Sequence, residues 1–473
     1  MNTYHVLSLC AAAGALLLSL QAQAELGYPE ANTLVPDGYT RYAVSPFPDR
    51  VILLPGQNPA TVQSVNWRTN SAVEDSVLQI SPAQHTPGLH LTARNVMGTF
   101  SMLETQNGVA HHHSVTIDDL EPDTLYAYRV KGENTWSAWF QFRTPKVEFD
   151  DYTALYFGDA QNAIRSHYTR TVNEAILTAP RAQVMLYAGD LVNSRYGVHD
   201  DEWGEWFEAK GWIGSSISQL PATGNHEFIE DEHEYRHLVE HWPAQFKVAG
   251  NGPEGLEDTV YYVDYQGVRY IALDSTEAMQ SDDKARIQAD WMREILAHNP
   301  NKWTIAFHHH PMFSVSLGRD NPPLREHWQP VYEEFGVDLV LQGHDHTYGR
   351  GHDIGKPVDE DAIGPMYVVS VAGPKMYLVS DEAAQSMNRN AEDVQLFQTL
   401  DFSADRLTYR SITVTGELYD AFDLVRGADG SISVEDKAPN TPEIRCANPS
   451  PMRETRCWNG TELIHAPAQG DER

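Results

Sequence analysis

Two rhythms of apolar and polar residues divide the chain. Between residues 36 and 145, short runs of alternating character recur between turns: Thr61-Val-Gln-Ser-Val-Asn-Trp67, Ser114-Val-Thr-Ile117, Tyr126-Ala-Tyr-Arg-Val130 and Trp139-Phe-Gln-Phe142. Period-two alternation turns one side of a strand to a core and the other to solvent, and strands at this spacing predict an all-β sandwich. From Tyr152 the rhythm changes. Continuous apolar runs at Ala154–Phe157, Val184–Tyr187 and Trp303–Phe307 alternate with amphipathic stretches of helical period at Thr169–Leu177 and Gln288–Ala297. That is the pattern of an α/β or layered α+β unit, predicted over residues 150–425 with Pro145 near its border. Strands return at Val337–Leu341, Met366–Val371 and Leu407–Thr415, and residues 426–473 read as a polar tail.

The uncharged run from Val6 to Leu20 fits neither rhythm. It falls short of the ~20 residues a helix needs to cross hydrocarbon. Ala22-Gln23-Ala24 follows it with the small-x-small form of a signal-peptidase site. Residues 1–24 are therefore predicted to be an export signal, with 25–35 a linker and the mature chain periplasmic or secreted. No later run reaches membrane-spanning length. The chain has 3 cysteines, and removal of the leader leaves Cys446 and Cys457 in the tail, where a disulfide would staple a segment with little core. Lys and Arg number 34 against 66 Asp and Glu, a net charge of −32 over 473 residues. Such a surface repels polyanions, which disfavours nucleic acid as a partner. A small phosphate ester held by metal ions is not excluded.

Some histidines and acids have plain structural explanations. His111-His112-His113 lies on a predicted sandwich strand with no carboxylate at ligand spacing, and Glu230-Asp-Glu232 reads as a solvated face. The informative groups sit where predicted strands end: Gly158-Asp159, Gly189-Asp190, Gly224-Asn225-His226-Glu227, His308-His309-His310-Pro311 and Gly343-His344-Asp345-His346. Glycine ahead of each group is expected to let the backbone turn sharply. Singly these are turn signals. Together, carboxylates, an amide and imidazoles supply the hard and borderline donors of a dinuclear metal site.

This ordered set resembles the calcineurin-like metallophosphoesterase superfamily, and within it the purple-acid-phosphatase-like branch. Tyr261-Tyr-Val-Asp-Tyr-Gln-Gly-Val-Arg-Tyr-Ile-Ala-Leu-Asp-Ser275 and Tyr348-Gly-Arg350 are similar to that branch too. Leu120-Glu-Pro-Asp-Thr-Leu-Tyr126 resembles the corner of a fibronectin type III domain, where a tyrosine hydroxyl ties back the turn. The resemblance implies a fibronectin III-like sandwich followed by a four-layer domain of two mixed sheets flanked by helices. It also implies two divalent or mixed-valence ions drawn from Fe, Zn and Mn. Asp159, Asp190 and His346 would hold the first ion, and Asp190, Asn225, His309 and His344 the second, with Asp190 bridging. Strand parity does not separate His309 from its neighbours; its choice follows the family's His-x-Pro pattern. His226 would be the proton donor to the leaving group, with Asn225, His310 and Arg319 as further substrate contacts; Arg319 fits a surface salt bridge equally well.

One departure changes the expected chemistry. The branch places a tyrosine three residues after the bridging aspartate, where its phenolate binds ferric iron and gives colour; here that position is Asn193. A colourless enzyme follows, unless Tyr196 substitutes. The activity implied is hydrolysis of phosphate monoesters, with diesters, nucleotides and pyrophosphate as alternatives on the same ligands, and a non-catalytic binding module as the reading outside enzymes.

Overall fold

The computed structural model describes residues 35, 39–193, 199–351, 365–450 and 454–457. The predicted export signal and Tyr196 lie outside these residues.

Alternation becomes a sandwich of two four-stranded antiparallel sheets. One holds the strands Asp49–Pro55, Gln63–Asn70, Gly108–Ile117 and Thr99–Thr105 in that order, and the other Arg94–Met97, Val77–Pro82, Leu125–Val130 and Phe140–Arg143. Leu53, Val65, Trp67, Leu78, Val115 and Tyr128 fill the space between them. Tyr126 closes the corner as expected, its hydroxyl accepting the Glu121 N–H at 2.9 Å. The three consecutive histidines pack rather than ligate. His113 stacks on Trp67 and bonds Thr69 and Ser76, while His111 stacks on Phe100 and bonds the Val73 carbonyl.

The second unit has two seven-stranded mixed sheets packed face to face. We number the strands that carry the site: β1 (Tyr152–Phe157), β2 (Val184–Ala188) and β3 (Ser218–Ala222) in one sheet, β4 (Trp303–His308) and β5 (Leu339–Gln342) in the other. β1, β2 and β3 are parallel neighbours, as are β4 and β5. Every residue of β2 and β4 is buried, which is why they read as unbroken apolar runs. Because the strands of each group share a direction, their carboxyl ends open at one edge, and the five polar clusters leave from those ends.

One feature differs from expectation, and the predicted disulfide is present. Residues 426–473 are not all irregular: Ile432–Asp436 pairs antiparallel with Leu418–Arg426 at a sheet edge. Its exposed, polar-rich positions hide the strand in the sequence. Cys446 and Cys457 are joined in a disulfide. Helix α1 (His199–Lys210) carries buried polar residues: Asp200 and Asp201 meet the sandwich, while Glu202 and Glu205 accept backbone N–H groups of the second unit. Asp200, at its first turn, accepts Arg50 Nη1 and Arg68 Nη1, each at 2.8 Å, and both arginines come from the sandwich. Among the described residues no helix is long and apolar enough to cross a membrane.

Candidate metal centre

Asp159 follows β1, Asp190 follows β2, Asn225 and His226 follow β3, His309 and His310 follow β4, and His344 and His346 follow β5. The structure brings all eight together. Asp190, His309 and His344 place ligand atoms within 4.8 Å of one another, and Asp159, Asp190 and His346 do the same. The two triads share Asp190.

Backbone geometry aims these groups. Asp190, His344 and His346 have φ of +50°, +71° and +48°, a region that non-glycine residues occupy only where surrounding structure enforces it. The expectation that a sharp glycine turn precedes each cluster is corrected here. Only Gly189 takes a left-handed φ, +83°, whereas Gly343 is required by close approach, since a Cβ there would collide with the Asp159 carboxylate. Glu227, named in the sequence but given no role, accepts N–H groups from Gly224, Asp190, Leu191 and Val192 and so clamps two site loops together.

His309 Nδ1 donates to the Ala188 carbonyl at 2.8 Å, so its Nε2 faces inward. That atom lies 3.0 Å from His344 Nδ1, 3.1 Å from Asn225 Oδ1 and 3.1 Å from Asp190 Oδ2. An acceptor-rich cluster at these separations requires a cation or a proton at its centre. Without an ion, the proton goes to His309: burial would lower its pKa, but Asp190 and Asp159 raise it to about 9. Asp190 is correspondingly held well below the carboxylate range, with His309 and His226 overcoming the effect of burial. Asp159 is pushed up to about 7, first by burial. Burial, reinforced by neighbouring cations, keeps His344 and His346 neutral, as ligands must be. Asp159 Oδ2 and His346 Nδ1 are buried without a hydrogen-bond partner. The donor set therefore fits two ions.

His226 presents its other nitrogen. Its Nδ1 bonds the Asn193 carbonyl at 2.7 Å, and its Nε2 stands 3.9 Å from Asp190 Oδ2. Asn193 is itself held through its N–H by Glu202 of α1 at 3.1 Å. His308 turns to the opposite face and packs on Trp328. His310 Nδ1 is paired with Ser275 Oγ at 2.9 Å, and its ring lies 4.2 Å from that of His344.

Arg319 sits at the rim and forms an ion pair, with Asp345. Its Nη1 donates to the His344 carbonyl at 2.5 Å and reaches Asp345 Oδ1 at 3.3 Å, so it braces the last ligand loop from a partly buried position. Gln161, Lys375 and Tyr377 also reach the site. Gln161 Nε2 donates to Asp190 Oδ2 at 2.5 Å, Lys375 Nζ lies 3.5 Å from Gln161 Oε1, and the Tyr377 ring lies 4.9 Å from that of His346. Nothing local marks these three in the sequence, because their partners are remote along the chain.

Residues 48–144 match the family described as purple acid phosphatase, N-terminal domain, and residues 152–348 match calcineurin-like phosphoesterase. Purple acid phosphatase 15 of Arabidopsis thaliana is 24% identical over 333 residues, 63% of this chain and 60% of that protein. Fe(3+)-Zn(2+) purple acid phosphatase 12 of the same plant is 27% identical over 282 residues, 55% of this chain and 56% of that protein. A purple acid phosphatase from yellow lupin (Lupinus luteus) seeds shares the fold, with a TM-score of 0.66 at 17% identity over 81% of this chain and 75% of that one. The chain spans 56–66% of the length of the first curated relatives it matches.

Proposed function

We propose that this chain, which belongs to the calcineurin-like phosphoesterase superfamily in its purple-acid-phosphatase-like branch, is an exported dinuclear-metal phosphomonoesterase. The observation that carries this reading is the pair of donor triads joined at Asp190. Asp159 and His346 share one triad with it and His309 and His344 the other, with Asn225 Oδ1 3.1 Å from His309 Nε2. When bound, two such ions stabilise charge on phosphoryl oxygens and bring the pKa of water from 15.7 to about 7.

The protein's own groups supply the remaining requirements. The Ala188 carbonyl fixes the tautomer of His309, and Glu227 holds the Asp190 and Asn225 loops in register. His226, held through Nδ1 by the Asn193 carbonyl, would carry on Nε2 the proton given to a departing alkoxide. The same carbonyl keeps the ring from rotating, so the proton is delivered at a single atom. Asn193 itself offers an amide in place of a phenolate, and no ligand-to-iron colour is expected from it.

The test pairs metal content with substrate choice. Protein purified without added salts should contain about two transition ions per chain and hydrolyse p-nitrophenyl phosphate faster than its bis ester. A chain with fewer than one ion, or a clear preference for the bis ester, would refute the monoesterase assignment.

A further inference from the structure

We infer that Gln161 is a further ligand of the ion that Asp159, Asp190 and His346 would hold, its amide oxygen standing in for the phenolate that Asn193 does not provide. The inference rests on the dinuclear reading of the site and adds one donor to it.

The donors are shared unequally around Asp190. One triad adds His309 and His344, with Asn225 Oδ1 beside His309 Nε2, whereas the other adds only Asp159 and His346. Asn193 does not make up the difference. Its carbonyl is taken by His226 Nδ1 at 2.7 Å, its N–H by Glu202 at 3.1 Å, and its side-chain Nδ2 is buried without a hydrogen-bond partner. Gln161 reaches the donors themselves. Its side chain is fully buried and brings Nε2 to 2.5 Å from Asp190 Oδ2 and 3.4 Å from His346 Nε2. That imidazole nitrogen lies 3.3 Å from Asp159 Oδ2, so one amide end meets two members of the smaller donor set and stands one contact from the third.

The main chain fixes this approach. The N–H groups of Ala160 and Gln161 both donate to the Asp190 carbonyl at 3.1 Å, which ties the loop after β1 to the loop after β2. Gly373 closes over the same turn, where a Cβ would lie 2.7 Å from the Ala160 oxygen and 2.9 Å from that of Gln161. The amide is thus delivered from a braced backbone, two residues after Asp159.

Which amide atom faces the donors depends on what they hold. Toward the Asp190 carboxylate alone the NH2 group is preferred, because it donates. Toward a cation its hydrogens are repelled, and only Oε1 has lone pairs to give. A half-turn about the last side-chain torsion, which is broad and roughly two-fold, exchanges the two atoms within the same volume. What Oε1 gives up is its 3.5 Å contact with Lys375 Nζ, at the limit of a hydrogen bond. A neutral oxygen in place of a phenolate leaves this side of the centre with one negative charge fewer, which suits a divalent ion better than ferric iron.

Two measurements on the zinc-loaded full-length protein test the inference. In a crystal structure of the wild type, the Gln161 oxygen should lie about 2.0–2.2 Å from one ion, the one shared with Asp159 and His346. Elemental analysis after dialysis against a graded chelator series should show Gln161→Leu releasing one ion at about tenfold or more lower chelator concentration than wild type, with the other ion within about threefold. Retention of that other ion reports an intact fold. Asn193→Ala should release its ions as wild type does. The crystal distance separates a ligand from a hydrogen-bond donor to Asp190, since loss of such a donor also weakens metal binding about 10–100-fold. An amide oxygen more than about 3 Å from both ions overturns the inference. So does a Gln161→Leu variant that keeps both ions as firmly as wild type, or earlier release from Asn193→Ala alone. Two ions in the wild type with a distant amide remove the ligand and leave the dinuclear reading; fewer than one ion per chain removes both.

Discussion

Asp200→Asn offers the sharpest test of how the two units depend on each other. The carboxylate is fully buried between Arg50 and Arg68, whose side chains are 4% and 1% exposed, and it also accepts from Asn107 at 2.9 Å. Burial alone would raise its pKa, yet Arg50, the His241 imidazole 3.7 Å away and Arg68 hold it well below the carboxylate range. An amide keeps the shape but leaves Arg50 with only Gln245 and a backbone carbonyl, while Arg68 retains Asp49. Breaking a buried pair from one side costs about 3–5 kcal/mol. Since one arginine keeps a carboxylate, the lower end applies, about 3 kcal/mol, or roughly 3 °C in melting temperature for a chain of this length. Calorimetry on the metal-loaded protein measures it. The pH dependence has a definite sign. A depressed carboxyl pKa contributes stability that is fully present above the unfolded value near 3.9 and is lost only as pH falls through the folded one. The difference between wild type and variant should therefore stay constant from about pH 8 to 5 and narrow below about 4. A difference under about 1 kcal/mol at neutral pH, or one that already closes between pH 7 and 5, would show that the clamp does not hold as described.

Three further outcomes are expected at the site. His226→Ala should keep both ions and lose about 10²–10⁴-fold in turnover of alkyl phosphates, but much less of p-nitrophenyl phosphate, whose leaving group needs no proton; equal losses would remove the acid role. Asp190→Asn should deplete both ions by elemental analysis, because both triads include that carboxylate; full occupancy would contradict a bridge. Iron-loaded protein should show no visible phenolate-to-iron absorption, since Asn193 stands where the branch carries its tyrosine; a strong band would mean that another tyrosine reaches the metal.

The parts of the fold legible in the sequence are those whose burial is uniform or strictly periodic. Val184–Ala188 and Trp303–His308 are buried at every position and stand out as apolar runs. The strand Gly108–Ile117 is legible at its Ser114–Ile117 end, while His111 and His113 are buried there because Val73, and Thr69 with Ser76, satisfy their ring nitrogens. The helix Asp282–Leu296 begins earlier than its apolar period suggests, since Ser281 caps a first turn of exposed acids. At the site, the ligand clusters were readable as breaks at strand ends. Glu227, Gln161 and Lys375 were not readable, because each acts on a group remote in the chain or on backbone N–H groups. Nor did glycine mark all the strained positions, as Asp190, His344 and His346 themselves take the left-handed backbone.

That backbone bears on how ions come and go. Donors pinned in an uncommon conformation by Glu227 and by neighbouring strands have had their freedom removed when the polypeptide folds, before any ion is met. Loading then demands little further ordering, and unloading releases little. One ion can replace another within a standing cage, so the metals found in the protein should follow local supply as much as intrinsic preference.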